Sequence, residues 1–484
     1  MTEQTSNSQV ATLNAETSQL SVESSSRFWG TIRESLAGSH RVYTEGDIGR
    51  AVLLLAIPMV LELALESVFA VVDVFFVARL GADAVATVGL TESMLTIVYA
   101  AMAGLSVGAT ATVARRVGER DFDGAARAAV QAILLGVFVA VPLGVCGFLF
   151  ARPLLQLMGA TPGVLAHSSF TAIVLSGNVV IVLLFLINAV FRGAGDAAIA
   201  MRVLWIANAI NIVLDPCLIL GLGPFPRLGV TGAAVATTTG RGIGVLVQLF
   251  VLSRGRGRIV IERRHVRLDP HVMMSMVRIS GSAVFQSLIA MTSWVGLVRI
   301  IASFGADAVA GNTISFRIVI FALLPAWGLS NAAATLVGQN LGAGKPDRAE
   351  ASVWRACLYN LVTLGTVGVA FVIFADPIVG LFTSDPLVKP VAAQGLRIIG
   401  FGFPFYAYGF VLTQSFNGAG DTWTPTVINV FCCWLGEIPL GYVLARRFGM
   451  GPAGAFWAVP IAFSTMAVVS AVVFRRGAWK LKRV

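Results

Sequence analysis

Long uninterrupted apolar runs dominate this chain, and their length predicts helices that cross a membrane. Segments such as 51–78, 128–150 and 456–474 are apolar at most positions rather than at alternating ones. A helix needs about 20 such residues to cross ~30 Å of hydrocarbon, whereas barrel strands alternate over about ten. Only helices and closed barrels satisfy their backbone groups in lipid. The pattern therefore predicts twelve helices, near 51–78, 86–113, 128–150, 165–190, 200–221, 229–253, 274–302, 308–337, 351–375, 391–416, 423–445 and 453–474.

The two halves of the chain repeat each other. The segment Gly-Ala-Asp-Ala-Val-Ala at 81–86 recurs at 305–310, an offset of 305 − 81 = 224. The sequence Phe-Arg-Gly-Ala-Gly-Asp at 191–196 recurs as Phe-Asn-Gly-Ala-Gly-Asp at 416–421. Further glycines repeat at 224: Gly104 with Gly328, and Gly118 with Gly342. Because each half has six spans, an even number, both halves insert into the membrane with the same orientation. We expect an all-α polytopic membrane protein with two six-helix lobes, related by pseudo-twofold symmetry along the membrane normal.

Polar segments divide the chain. Residues 1–26 are rich in Ser, Thr, Gln and Asn and lack the apolar core of a signal peptide, which indicates a disordered tail. Phe28, Ile32 and Leu36 repeat every four residues, so this piece is either a surface helix or a featureless tether. The predicted units are a disordered or interfacial tail at 1–49, a first lobe at 50–253, a basic linker at 254–271, a second lobe at 272–474 and a basic tail at 475–484.

The distribution of positive charge along the chain predicts its orientation in the membrane. Hydrophobic residues make up 56% of the chain and charged residues 12%, about half the fraction in soluble domains. With the N-terminus inside, the segments placed in the cytoplasm hold 25 Lys and Arg and the external segments hold seven. This bias satisfies the positive-inside rule and predicts a multi-pass protein of the cell (inner) membrane with both termini cytoplasmic. The net charge of +10 then reflects topology and contact with anionic lipids, so nucleic-acid binding is not required.

The first span carries three acids, which are costly in hydrocarbon and therefore candidates for function. At 100° per residue, Glu66 lies about 40° and Asp73 about 20° from Glu62 around the helix axis. The stripe faces a cavity or polar partners, and Glu62, near the helix start, is also open to a purely structural role.

The fifth span carries a matching set. Asn208, Asn211 and Asp215 lie at i, i+3 and i+7, on one face, and Asn188 adds an amide late in the fourth span. Carboxylate and amide oxygens suit a proton or Na⁺. No spacing of His, Cys or acids indicates a firm metal site, and the five cysteines are expected to be packing residues.

The second half lacks this pattern. At the offset of 224, the three acids of the first span become Gln286, Ala290 and Leu297. Glu437 in the eleventh span is the acid that remains. Because the repeats share a fold, their difference places the chemistry in the first lobe. Two weaker candidates are Arg317, either a charge partner or an interface anchor, and Tyr406, in an aromatic run that suits either flat cationic ligands or ordinary packing.

These motifs together resemble the multidrug and toxic compound extrusion (MATE) family, over about residues 48–474. The resemblance is carried by Val-Val-Asp-Val-Phe-Phe-Val-Ala-Arg-Leu-Gly at 71–81, Arg-Gly-Ala-Gly-Asp at 192–196 and Asn-Ile-Val-Leu-Asp-Pro at 211–216. It implies twelve helices in two lobes that form a V, with drug efflux driven by entry of H⁺ or Na⁺.

The resemblance also implies a site. In DinF-like members, the cation-responsive residues fall on Asp73, Asn188, Asn211 and Asp215. NorM-like members place acids at positions that are Ala290 and Tyr406 here, which argues against a second-lobe Na⁺ site. Glu62 and Glu66 are additional to the pattern. We expect a monomeric antiporter that exports amphipathic cationic or aromatic compounds, contacts membrane lipids and needs no cofactor beyond its coupling ion.

Three other functions compete with this interpretation. A flippase for lipids or lipid-linked oligosaccharides belongs to the same superfamily, but such proteins often carry additional helices. A major-facilitator transporter has twelve spans, but its Gly-x₃-Asp-Arg-x-Gly-Arg loop is not matched at 118–127. An intramembrane enzyme would need a nucleophile elbow or a His/Glu metal motif, and neither is present in the sequence.

Overall fold

A computed structural model describes residues 29–38 and 41–482 of the chain. It contains twelve helices long and apolar enough to cross a membrane, which confirms the predicted number and the all-α class. They are α1 (Ile48–Ala78), α2 (Ala82–Gly118), α3 (Phe122–Leu157), α4 (Ser168–Ala194), α5 (Ala197–Leu220), α6 (Val230–Arg254), α7 (Pro270–Ala302), α8 (Ala306–Gly342), α9 (Pro346–Gly380), α10 (Val388–Gly418), α11 (Trp423–Arg447) and α12 (Pro452–Arg475). The predicted disordered tail at 1–26 lies outside the described residues.

Several helices extend beyond their predicted apolar runs. The run at 86–113 becomes the longer α2, because the residues that flank it at both ends are helical as well. The helix α4 is interrupted at Gly177, and α11 contains a π-helical segment, Val430–Glu437. Apolar patterning sets the position of a span but not these local changes in helix geometry.

The repeated glycines Gly81 and Gly305 form the same turn in both halves of the chain. Each caps the start of the second helix of its lobe, with φ of 105° and 109°. A side chain at such φ values is strained, whereas glycine adopts them freely. The duplicated Gly-Ala-Asp segment therefore builds the same sharp turn between α1 and α2 as between α7 and α8.

Each lobe has its own apolar core, and α1 belongs to two of them. The first half of α1 contributes Val52, Leu55 and Met59 to a core formed mainly by α8, α9, α10 and α12 of the second lobe. The second half of α1 packs against α5 and α6 of its own lobe, where Phe69 contacts Arg241. A rotation or bend of α1 is therefore transmitted from one lobe to the other.

The two lobes cross closely where α2 meets α8. A Cβ added to Gly342 would overlap the carbonyl oxygen of Arg115, and a Cβ added to Gly118 would overlap that of Gln339. Since 339 − 115 = 224, the two contacts are symmetry mates. Small residues four apart let membrane helices approach to backbone contact. The pairs Ala114/Gly118 and Gly338/Gly342 have this spacing, and Gly338 contacts Ala114.

A second pair of glycines repeats the arrangement deeper in the membrane. A Cβ on Gly104 would lie 2.6 Å from the backbone nitrogen of Val284, and a Cβ on Gly328 would lie 2.9 Å from that of Val60. Here 284 − 60 is again 224. The repeated pairs Gly104/Gly328 and Gly118/Gly342 are thus points where each half touches the other.

Residues 41–47, which we call the strap, cross both lobes just before α1. On the first lobe, the Tyr43 hydroxyl donates to the carbonyl oxygen of Gly195 (3.2 Å). On the second lobe, Lys345 Nζ donates to the Thr44 carbonyl oxygen (3.0 Å) and Arg348 Nη1 to that of Gly46 (2.9 Å). The strap therefore ties the lobes together at the end of the bundle that we call the terminal end.

The C-terminal segment, which includes Trp479 and Lys482, packs at the terminal end of the bundle. Trp479 is fully buried and stacks on Phe474 with ring centroids 4.5 Å apart. Arg115 of α2 donates to the carbonyl oxygen of Lys482, whose ammonium lies 3.2 Å from Asp421. The lobe contacts described above therefore concentrate in the half of the bundle nearest the terminal end.

Candidate functional site

The first acid of α1, Glu62, is neutralised inside the first lobe. Its side chain is 2% exposed, and its Oε1 accepts hydrogen bonds from Arg192 Nη1 (2.8 Å) and Asn188 Nδ2 (3.0 Å). Gln248 Nε2 of α6 donates to Asn188 Oδ1 (2.7 Å). These hydrogen bonds link α1 to α4, and removing either charge would leave the other one buried and uncompensated.

Replacing Arg192 by Met is expected to destabilise the protein by roughly 3 kcal/mol, because removing one partner of a buried ion pair leaves the other charge uncompensated. The double variant Glu62→Gln/Arg192→Met removes both charges and should recover most of that loss. Thermal unfolding of the detergent-purified protein measures both effects. A single variant as stable as the wild type would show that the pair does not hold α1 in place.

The second acid, Glu66, is also neutralised, by a residue of α6. Arg241 Nη2 donates to Glu66 Oε1 and Asn208 Nδ2 donates to Oε2, each at 3.0 Å. The Arg241 guanidinium, with 7% of its side chain exposed, lies near the rings of Phe69 (5.7 Å) and Phe185 (5.6 Å). Glu66 therefore fastens α1 to α5 and α6.

The third acid, Asp73, is the exception. Its Oδ1 is buried and accepts no hydrogen bond from any residue that the structure describes, and the same is true of Oδ1 of Asp215 in α5. The charges of the two carboxylates act on each other. With its amide oriented to satisfy both sides, Asn211 donates to Asp215 Oδ2 (2.8 Å) and accepts from the Thr237 hydroxyl of α6 (3.0 Å). Thus α1, α5 and α6 meet at two carboxylates for which the described ranges provide no ion-pair partner.

The structure divides the four residues that family resemblance groups together. Asp73, Asn211 and Asp215 are neighbours, but Asn188 is bonded to Glu62. Glu62 and Asp73 are 73 − 62 = 11 residues apart on α1, or about 16 Å along its axis. The structure therefore brings Asp73, Asp215 and Asn211 together and places Asn188 beside Glu62, and the coupling role of all four residues stays a prediction.

The second-lobe candidates lie apart from this pair. Glu437 is buried, and Ser293 Oγ donates to its Oε2 (2.8 Å). Tyr406 is 3% exposed and packs among aromatic rings, with Phe463 nearest at 4.8 Å. Arg317 is exposed on α8, and its charge acts on Glu92 of α2 in the opposite lobe.

Sequence reasoning missed the cations that neutralise Glu62 and Glu66. Arg192 follows the predicted fourth span at 165–190, although it lies within α4 with 14% of its side chain exposed. Arg241 lies inside the predicted sixth span at 229–253, where the sequence indicates no partner for it. The sequence does show two additional acids and two arginines in the same lobe, which is the signal that ion pairs could form. Which acid pairs with which arginine depends on which helices are neighbours, and the sequence alone does not indicate that.

The pair Asp73/Asp215 can hold a small cation. Two buried carboxylates cannot both remain charged without cost, so they favour binding a proton or a monovalent ion. Within the part of the chain that the structure describes, no three His, Cys, Asp or Glu side chains converge on a point that could hold a metal.

Comparisons with known proteins agree with this architecture. The family model MatE matches residues 58–217 and 282–443, one match in each half. A probable multidrug resistance protein NorM of Thermotoga maritima is 26% identical over 440 residues, covering 90% of this chain and 94% of its own. A multidrug export protein MepA of Staphylococcus haemolyticus is 23% identical over 431 residues, covering 88% and 93%.

Solved structures share the fold. A MATE crystal structure in complex with MaL6 superimposes with a TM-score of 0.84 at 25% identity, covering 91% of this chain and 98% of that one. A MOP superfamily transporter from Pyrococcus furiosus superimposes with a TM-score of 0.85 at 24% identity, covering 92% and 100%. The two-lobed arrangement of twelve helices is therefore common to these chains.

Proposed function

Because this chain belongs to the MatE family of multidrug efflux transporters, we propose that it exports amphipathic cationic or aromatic compounds in exchange for H⁺ or Na⁺. Members of the family are transporters, so the chain is not an enzyme. The proposed site of coupling is the pair Asp73/Asp215. We propose no cofactor beyond the coupling ion.

One observation carries the proposal: two acids of α1 are neutralised and one is not. Glu62 has Arg192 and Glu66 has Arg241, whereas Asp73 forms no ion pair with any described residue. A buried oxygen without a donor is found on both Glu62 (Oε2) and Asp73 (Oδ1), so the missing cation is what distinguishes Asp73. An acid placed in the membrane without a partner is costly unless a mobile cation compensates it. This is the property that an ion-coupled transporter requires of its coupling residue.

The route from ion to movement runs through α1. Its second half carries Asp73, and its first half packs in the core of the second lobe. Binding a cation at Asp73/Asp215 removes charge repulsion between α1 and α5 and so favours one arrangement of α1 over another. A ligand shifts a conformational equilibrium only by its difference in affinity for the two states, and this change in repulsion provides such a difference.

We infer the orientation of the chain in the membrane from its charge distribution, and the conformational state of the structure from the packing of its two lobes. The positive-inside bias favours placing the terminal end in the cytoplasm of the cell membrane. The lobe contacts at the α2–α8 crossing, the strap and the C-terminal segment all lie toward that end. The structure then corresponds to a state closed to the cytoplasm, from which substrate leaves and a cation enters.

Uptake of a cationic dye by proteoliposomes tests the proposal. A pH gradient and a Na⁺ gradient are imposed separately, with each membrane potential clamped by K⁺ and valinomycin. We expect concentrative dye movement under at least one gradient, in the direction opposite to the cation. Protein-free liposomes and heat-inactivated protein are the controls.

Dye that moves only down its own gradient under both conditions would contradict ion coupling. Translocation of a fluorescent lipid by the same vesicles, without dye transport, would favour a lipid flippase.

A further inference from the structure

A cavity, which we call the α5 cavity, lies at the terminal end of the first lobe, where α5 begins beside a short helix at 29–37. Its wall is formed by the 29–37 helix, the strap, α1, α5 and the linker after α6, and includes Ser35, Tyr43, Leu54, Arg202 and Arg256. Its volume is about 90 Å³, several times the roughly 10–15 Å³ that one water molecule needs. A group of several atoms, such as a phosphate, therefore fits.

Hydrogen bonds hold the wall of the α5 cavity in place. Arg202 Nη2 donates to the carbonyl oxygen of Leu36 (2.6 Å), and Ser35 Oγ donates to that of Leu54 (3.3 Å). These bonds join the helix at 29–37 to α5 and to α1. The cavity is therefore a fixed feature of the first lobe.

The two arginines in the wall form no ion pair with any residue that the structure describes. Arg202 donates to a carbonyl oxygen, and the Arg256 guanidinium lies 5.5 Å from the centroid of the Phe250 ring. Asp196, an acid in the same wall, is already paired. Its Oδ2 accepts from the backbone N–H of Arg258 (2.6 Å), and its Oδ1 lies 3.6 Å from Arg258 Nε. The wall therefore carries two positive charges that the described acids do not neutralise.

Other arginines at this end of the bundle do have acidic partners. Arg50 pairs with Glu34, and Arg120 pairs with Glu45. A guanidinium carries five N–H donors in a planar arrangement that fits the oxygen atoms of a carboxylate or a phosphate. Since the described acids nearby are engaged elsewhere, the wall suits an oxyanion that comes from outside the chain.

An apolar stripe of α5 continues from Arg202 toward the middle of the membrane. The exposed positions after Arg202 recur at helical spacing and are all apolar: Trp205, Ile206, Ala209 and Val213. On α6, Leu246 is exposed one turn before Phe250, the ring beside Arg256. Lipid tails are as apolar as leucine, so these faces are suited to contact acyl chains. The anion that fits beside them is therefore a lipid headgroup.

We propose that the α5 cavity binds the phosphate of an anionic membrane lipid, with Arg202 and Arg256 as its cationic ligands. Basic pockets between membrane helices on the cytoplasmic side bind such headgroups, and the terminal end is the one we place in the cytoplasm. Each guanidinium can donate charge-assisted hydrogen bonds to phosphate oxygens. The inference concerns neither the exported compound nor the coupling ion, so it goes beyond the proposed transport function and does not depend on it.

Equilibrium binding of a fluorescent lipid tests the proposal. The purified full chain in a neutral detergent is titrated with acyl-labelled phosphatidylglycerol, and separately with acyl-labelled phosphatidylcholine, whose choline cancels the phosphate charge. The variants are Arg256→Gln and Arg202→Gln/Arg256→Gln. Arg254→Gln is the matched control, because this guanidinium lies 5.4 Å from the same Phe250 ring but is not part of the cavity wall.

We expect the wild type and Arg254→Gln to bind phosphatidylglycerol about ten-fold more tightly than phosphatidylcholine. Each arginine removed from the wall should weaken binding of phosphatidylglycerol by roughly ten-fold, because a hydrogen bond between charged groups contributes affinity of that order. Arg256 donates no hydrogen bond to a described residue, so Arg256→Gln should fold and decides the result even if the double variant does not. Size-exclusion profiles check the folding of each variant.

Inorganic phosphate, added as a competitor, identifies the source of the anion. Retention of the lipid at millimolar phosphate supports a lipid site, whereas displacement at micromolar phosphate would overturn it in favour of a free anion. Equal affinity for the two lipids, or unchanged binding in folded variants of the wall, would also refute the proposal. An equal loss in Arg254→Gln would show a diffuse basic surface instead of a defined site.

Discussion

Replacing Asp73 by Asn is expected to abolish concentrative export while leaving the protein folded in the membrane. In the wild type, a gradient of two pH units can support a substrate ratio of up to about 100-fold if one proton is exchanged per monovalent substrate at zero membrane potential. The Asn variant cannot take up the ion, so its substrate ratio should fall to about one. Folding should survive, because no described residue donates a hydrogen bond to the buried Oδ1 of Asp73.

The matched control is Glu437→Gln, which changes a buried acid of the second lobe. The amide oxygen can still accept the hydrogen bond from Ser293, so this variant should fold and retain coupled transport. Dye accumulation in proteoliposomes, together with size-exclusion profiles of both variants, makes the comparison. Normal accumulation by Asp73→Asn, or loss in Glu437→Gln alone, would place coupling in the second lobe.

The second large effect is expected at the crossing of α2 and α8. A leucine at Gly342 would have to displace the backbone of α2 at Arg115. Overpacking of this kind costs ~1–3 kcal/mol, and the upper figure shifts a two-state equilibrium by on the order of 100-fold. We expect Gly342→Leu to force the terminal end open and to abolish cycling between states.

Spin labels at Phe122 and Asp347, introduced as cysteines into a cysteine-free background, report the separation of the lobes at this end. Both side chains are exposed, one in each lobe. The distance should lengthen in Gly342→Leu. Gly89→Leu is the control on α2, because nothing lies within 4 Å of a Cβ at that position. An unchanged distance in a folded, inactive Gly342→Leu variant would contradict the role assigned to the crossing.

The sequence was sufficient for the architecture because the signals were local or repeated. Apolar runs fixed the twelve spans, and the offset of 224 fixed the two lobes. The cost of an acid in lipid marked Asp73 and Asp215 as candidates, together with Glu62, Glu66 and Glu437. These arguments need no knowledge of which helices touch.

The charge pairs could not be predicted in the same way. Arg192 and Arg241 lie 130 and 175 residues from the acids they neutralise, and nothing in the spacing sets the register between those helices. The packing of the first half of α1 in the second lobe was equally hidden. Lipid tails are as apolar as leucine, so a lipid-facing surface and a protein-facing surface have similar patterns.

The strap also has a consequence for how the chain is made. Thr44 is among the first described residues to be synthesised, yet the lysine that holds it, Lys345, follows 301 residues later. At ~5–20 residues per second, translation takes roughly 15–60 s to cover that interval. In the later part of this interval, after α6 has been made, the strap still lacks its contacts with Lys345 and Arg348. The strap can close only after α8 has been synthesised and the chain has returned to the terminal end, so its closure marks the completion of assembly.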